Sequence, residues 1–489
     1  MKTAGAGAAA AGMAGMAGKD LLGQIFPPGV QAAKKPPPEP GIPIDSAIII
    51  GAGPAGLTAA SLIADHGDTV TVIESCHRPG GRIQVGEFPN GQHFSVAGSE
   101  WFACDDDFEW LVKDYLGFAS NQIGTWNANT YFWWKDQYCY CSGGWTSCVN
   151  GCLPLSDPGK FWDYETESKK FYDCILTEPM DDPESCWLGT KKDPWDTGNY
   201  WDWMVNKYDA SMADLCGNIF FGSELAVPPS MASEALGNYC MAYWYWDNCY
   251  SLYDGNYQII EALMSRIPSG SVKLNETVSS VTNTATGVEV VSNKGTYTAD
   301  IAIVSVPHIN VAGIVPELPS ARVNALDDMH DTHAILAALQ FTERFWDTQF
   351  GMGGWGGVAD WLTTTDATMF QTGAEGILEC YITESQGKSL ELWQSHNGIH
   401  VTGGKATIVD AILAKLDEFW PATQYYNGNA KVYEWIPYVP NYPPGFVRDG
   451  RYTTLRDPID KIYFAGEYCY GPGLSSAVHI GKDTADKFE

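Results

Sequence analysis

Four consecutive apolar residues, Ala47 to Ile50, read as a short buried strand, and the helical spacing of Leu57, Ala59, Ala60 and Leu62 predicts a helix directly after it. Thr69 to Ile73 alternates as a second strand and ends on Glu74, while Ile83 to Val85 and His93 to Val96 predict a hairpin across Pro89-Asn90-Gly91. From about Phe102 to Tyr253 the pattern changes to a dense aromatic stretch, with YFWW at 131–134 and YWYW at 243–246. Regular patterning resumes with a helix from Gln258 to Arg266, strands at Val272 to Leu274, Val278 to Val281 and Val288 to Val291, and one return strand over Ala299 to Val306. Further on, Ile335 to Phe341 reads as an alternating strand, Ala406 to Phe419 as a helix, Lys461 to Ala465 as a strand, and Leu474 to Phe488 as a last helix.

Between the first strand and its helix, Gly51, Gly53 and Gly56 form a G-x-G-x-x-G turn, with Pro54 and Ala55 opening the helix. Glycine there permits a tight turn and close approach of backbone to a pyrophosphate, whose charge the helix N-terminus stabilises. Glu74 stands where a carboxylate accepts hydrogen bonds from ribose hydroxyls and repels a 2′-phosphate. Strand, turn, helix, strand and acid in this order, followed by RPGGR at 78–82, mark a dinucleotide site, and the dinucleotide expected is FAD. The bland alternative is a glycine-rich helix start.

The expected fold class is α/β, a Rossmann-like FAD-binding domain assembled from discontinuous segments plus an α+β substrate-binding domain. The nucleotide domain takes residues 45–101, 254–306 and 432–489, and the substrate domain takes 102–253 and 307–431. Residues 1–44 read as a disordered Ala/Gly/Met leader followed by a proline-rich linker, KKPPPEPGIPI at 34–44.

At 489 residues with 45% hydrophobic content the chain can fill both cores. A net charge of −30 opposes nucleic acid and anionic membrane surfaces, and no apolar run is long enough to span a bilayer. Of 13 cysteines, ten lie between Cys104 and Cys249, among them Cys139, Cys141, Cys148 and Cys152. No histidine stands near that cluster, so disulfides or buried thiols are expected and no metal site. Cysteine count, acidity and the one N-glycosylation sequon, Asn275-Glu276-Thr277, point to secretion or an organelle lumen. No pattern specifies an oligomeric state.

GAGPAGL at 51–57, Glu74, RPGGRI at 78–83, DGNYQIIEAL at 254–263, VSVP at 304–307, QFTERFW at 340–346 and the run from Tyr442 to Glu467 together resemble the flavin amine oxidase superfamily, which includes monoamine, polyamine and L-amino acid oxidases. The resemblance implies that Gly51, Gly53, Gly56, Gly81, Glu74 and Arg82 contact FAD, that backbone at Val278 reaches the adenine side, and that Gly466 and Glu467 lie at the pyrophosphate and ribityl end. It places one substrate-orienting aromatic at Tyr438. The preceding position, cysteine in covalently flavinylated members, is Pro437, so FAD is expected to bind noncovalently. The family's active-site lysine falls on Leu336, and its second cage aromatic falls at Gly473 or Leu474, with Tyr468 and Tyr470 close by.

The chemistry implied is hydride transfer from a substrate carbon of an amine or amino acid to flavin N5, on a small molecule with an apolar or aromatic body. Tyr438 and the rings at 131–134 and 243–246 would line the pocket, unless those rings pack the core instead. Ile83 to Ser265 contains no arginine, leaving Arg322, Arg344 and Arg448 as carboxylate anchors. The missing lysine and incomplete cage also suit a redox-neutral double-bond isomerase of polyunsaturated fatty acids, which shares this fold. A flavin-binding protein without turnover is a third reading. His330, His333 and His479 read as structural histidines.

Overall fold

In the computed structural model the described residues run from 41 to 488, apart from 98–100, 103–105, 126–128, 143–147, 149–151, 178–194, 223–225, 247–248, 353–355, 386–387 and 396–405. The leader, 1–40, and the side chains of the YWYW run at 243–246 therefore lie outside the described residues. From Pro43 onward the chain forms one compact unit.

Five parallel strands make one sheet, in the order Val272–Lys273, Thr69–Ile73, Ser46–Ile50, Ile301–Val304, Ile462–Phe464. Its strands thus come from three stretches of chain far apart in sequence. Every residue from Ala47 to Ile50 and from Ile301 to Val304 is buried, as expected of central parallel strands covered on both faces. The helices Pro54–His66 and Leu474–Ala485 pack together so closely that a Cβ on Gly481 would lie 2.4 Å from the Ala55 carbonyl oxygen.

The single return strand predicted over Ala299 to Val306 is in fact two. Thr296–Ala299 closes an antiparallel meander with Val288–Ser292 and Val278–Asn283, whereas Ile301–Val304 joins the parallel sheet. Asp300 forces the change of sheet: its Oδ2 accepts from the backbone N–H of Asp45 and of Ser46, at 2.8 and 2.9 Å, pinning the corner to the start of the first strand.

A seven-stranded sheet follows the order Tyr426–Trp435, Ala334–Phe341, Gly376–Thr383, Leu362–Asp366, Gly356–Ala359, Thr130–Trp134, Gln137–Cys141. The strand expected to alternate, Ala334–Phe341, is buried at all eight positions. It is central: Ile335, Ala337, Leu339 and Phe341 face a core shared with the helix Ala406–Leu416, while Ala338 faces the rings of Phe88 and Phe94 on the hairpin. The helix ends before the predicted Phe419, which instead packs its ring on Trp420 and Tyr131. In the YFWW run, Tyr131, Phe132 and Trp134 are at most 2% exposed and pack in the hydrophobic cores, while Trp133 is only half-buried and donates to Glu418 at 2.8 Å.

Two disulfides, Cys139–Cys152 and Cys141–Cys148, staple the end of the hairpin Thr130–Trp134/Gln137–Cys141. Among the described residues no helix is long and apolar enough to cross a membrane, and no cluster of three or more His, Cys, Asp or Glu is arranged to hold a metal.

Candidate functional site

Because the five strands are parallel, Gly51, Glu74, Ser305 and Gly466 all follow the carboxyl ends of their strands on one edge of the sheet, where α/β folds bind dinucleotides. Gly51 has φ +107°, and its N–H donates to Ile73 O at 2.9 Å, bending the chain toward the Glu74 end. A Cβ on Gly56 would lie 2.1 Å from Gly51 O, so the turn closes only with glycine there. Gly53 caps the helix that Pro54 and Ala55 open, leaving the first N–H groups of that helix aimed out of the turn. Gly81, at φ +55°, brings the RPGGR loop against Gly53, and Gly80 N–H ties it to Ala52 O at 2.7 Å.

Glu74 is buried and its two oxygens accept from Ala52 N–H and Cys76 N–H, both at 2.8 Å. Oε1 also accepts from Ser75 Oγ at 3.4 Å, whereas Oε2 has only Ala52 N–H as a partner among the described residues and keeps a second acceptor site for a ribose hydroxyl. The segment before Val278 runs alongside, with Glu276 N–H donating to Glu74 O and Asn275 N–H to Cys76 O. These features, Gly51 and Gly56 in a turn too tight for a side chain and a framed acid beside them, fit an adenine dinucleotide.

At the other end, Arg82 pairs with Glu467 and also donates to the carbonyl oxygen of Tyr438. The second oxygen of Glu467 accepts from Gly473 N–H at 3.0 Å, at the start of the last helix. Tyr438 is held from its other side by Thr332, which accepts from Tyr438 N–H through both its carbonyl and its hydroxyl at 3.0 Å, and from Val439 N–H at 2.8 Å. Arginine, acid and tyrosine, 385 positions apart at the extremes (467 − 82), thus form one connected frame.

Leu336 is buried and has Tyr381 and Tyr433 as its direct cross-strand neighbours, so all three side chains share one face. The Tyr381 ring meets the Tyr438 ring at 5.2 Å and 50°. Sequence reasoning passed over Tyr381: its place is set by pairing register, and nothing local in CYIT marks it. Gly473, at the expected second cage position, has φ +115° and open space where a Cβ would stand. Tyr468 is buried beside Gly466 and against His308, and Tyr470 stacks on His479 at 3.9 Å.

The remaining candidates serve the scaffold. His333 links Ser389 Oγ at 2.7 Å to Glu434 at 3.0 Å, His330 faces Glu384 at 3.8 Å, and His479 pairs with Asp107 at 2.5 Å. His308, which sequence reasoning did not single out, is held below its usual pKa by burial, with the Asp331 carboxylate opposing and Arg82 adding to the effect. Arg322 donates to Asp457 O, Arg344 to Gln371 O and Gly373 O, and Arg448 to Trp195 O. Asp196, also missed, accepts from the N–H groups of Gly445, Val447 and Arg448 at 2.8–3.0 Å, and so shapes the loop that follows the short strand Pro440–Asn441.

A family model for flavin-containing amine oxidoreductases matches residues 54–487. An L-amino-acid oxidase of Siganus canaliculatus is 35% identical over 86 residues, 17% of this chain and only 16% of that protein. Amine oxidase [flavin-containing] A of Bos taurus is 22% identical over 450 residues, covering 86% of this chain and 79% of that protein. Among solved structures, cyclohexylamine oxidase from Brevibacterium oxydans IH-35A superimposes with a TM-score of 0.72 at 18% identity, covering 91% of this chain and 98% of that one.

Proposed function

The chain belongs to the flavin-containing amine oxidoreductase family, and from that premise we propose that it is an FAD-dependent enzyme that removes a hydride from a carbon of a small amine or amino acid. The observation that carries this reading is the frame joining Tyr438 through Arg82 to Glu467, because it ties a substrate-orienting ring to the cofactor edge of the sheet. FAD, when bound, supplies the hydride acceptor. The chain's own contribution is orientation and exclusion of water: Tyr438 and Tyr381 present ring faces to a substrate body, and Leu336 keeps that wall apolar. Pro437 offers no thiol for a covalent link, which supports noncovalent cofactor binding.

Leu336 and Gly473 favour a second reading, a redox-neutral isomerase of polyunsaturated fatty acids. An apolar group at the lysine position, and open space where the second cage ring would stand, suit a long hydrocarbon better than a caged amine. Oxygen uptake and ultraviolet absorbance should be followed together on the holoprotein with amines, amino acids and polyunsaturated fatty acids in turn. Oxygen uptake with peroxide on an amine or amino acid supports the first reading. Conjugated-polyene absorbance without oxygen uptake supports the second, and no response on any class sinks both.

A further inference from the structure

The sequon Asn275-Glu276-Thr277 borders the Glu74 end of the site just described through two backbone hydrogen bonds, and none of its side chains has an assigned role there. It forms the turn between Val272–Lys273 and Val278–Asn283, with Asn275 and Thr277 exposed and Glu276 buried between them. Asn275 has φ +54°, a left-handed conformation that asparagine tolerates better than other side chains. Its backbone N–H is fixed on Cys76 O at 2.8 Å, while its side-chain amide makes no hydrogen bond among the described residues. The turn is anchored from below, since Glu276 Oε1 accepts from Ser292 Oγ at 2.5 Å and from Tyr297 OH at 2.7 Å. Thr277 N–H is held by Asn293 Oδ1 at 3.0 Å. A bulky group on Asn275 would therefore displace no packed side chain and break no hydrogen bond.

A second observation bears on the compartment. Cys139–Cys152 and Cys141–Cys148 are bonds that persist where thiols are oxidised, which is also where asparagine is glycosylated. We propose that Asn275 carries an N-linked glycan and that the chain matures in the oxidising lumen of the secretory pathway. The donor is an oligosaccharide on a polyisoprenyl pyrophosphate. Asn275 Nδ2 bonds to the anomeric carbon, the bond from that carbon to the pyrophosphate oxygen breaks, polyisoprenyl pyrophosphate leaves with the electron pair, and the amide proton passes to base. Glycine or proline does not interrupt the motif, and the middle residue, Glu276, leaves it competent.

The test is expression of the full chain in eukaryotic cells, peptide:N-glycosidase treatment, and mass spectrometry of the peptide spanning Asn275 with disulfides mapped on the same sample. The expected result is a gain in gel mobility on deglycosylation and conversion of Asn275 to Asp. Thr277→Val, which keeps the asparagine, should abolish both, and Thr277→Ser should restore them. Recovery of Asn275 unmodified from folded, flavin-loaded protein overturns the proposal, whether the four cysteines are bonded or reduced.

Discussion

Gly56 shows how much a single missing Cβ decides. A methyl group there would press on Gly51 O at 2.1 Å, a backbone atom that cannot yield as the nearby Ser305 hydroxyl could. Gly56→Ala should weaken FAD binding at least about tenfold, or ~1.4 kcal/mol, read as a fall in the ratio of flavin to protein absorbance after gel filtration. Thr332 is the corresponding residue on the substrate side. Thr332→Val removes the hydroxyl that accepts from Val439 N–H, leaving a buried donor at a cost of about 1–3 kcal/mol. The expected signature is a fall in kcat/KM with flavin content retained, rescued by Thr332→Ser; equal loss in both variants would show that the hydroxyl does not position Tyr438. The glycines were readable because a tight turn constrains residue type directly. Thr332 was not, because its only distinction is a partner 106 positions away.

Among elements, the hairpin Thr130–Trp134/Gln137–Cys141 owes part of its stability to the two disulfides that close short loops, with sequence separations of 13 and 7. In the chain-entropy account, loops of that size restrict the unfolded chain by about 2–3 kcal/mol each. Cys139→Ser with Cys152→Ser should lower the denaturation midpoint accordingly; an unchanged midpoint would mean that packing of Tyr131, Phe132 and Trp134 alone holds the hairpin. Sequence periodicity located most elements but misread two. The strand Ala334–Phe341 looked half-buried, yet flanking strands and two cores cover both its faces. The return strand looked continuous because periodicity does not register a corner held by the Asp300 carboxylate.

For the molecule as a whole, pH acts through buried carboxylates. Asp366 sits in the second core, where burial raises its pKa from 3.8 to about 6 against the opposing bonds from Trp346 and Thr368. A carboxyl group whose folded pKa exceeds its unfolded one stabilises the fold fully below about pH 4, and that contribution is lost as pH rises through about 6. The difference corresponds to roughly 3 kcal/mol. Melting temperatures of wild type minus Asp366→Asn should therefore fall between pH 4 and 7. A flat difference would place the ionised carboxylate in a site that already solvates it.

What the sequence determined by itself was the nucleotide half of the site: the Gly51 to Gly56 turn, Glu74, and the RPGGR loop. Those features are local, because a tight turn, a helix N-terminus and the end of the next strand restrict which residues can occupy them. Tertiary structure alone decided that Leu336 faces Tyr381 and Tyr433, that Arg82 joins Tyr438 to Glu467, and that Asp196 shapes the loop after Pro440–Asn441. Each depends on how distant segments pair. Leu336, Tyr381 and Tyr433 share a face only in the observed register, because a shift of one residue turns a strand's side chains to the opposite face.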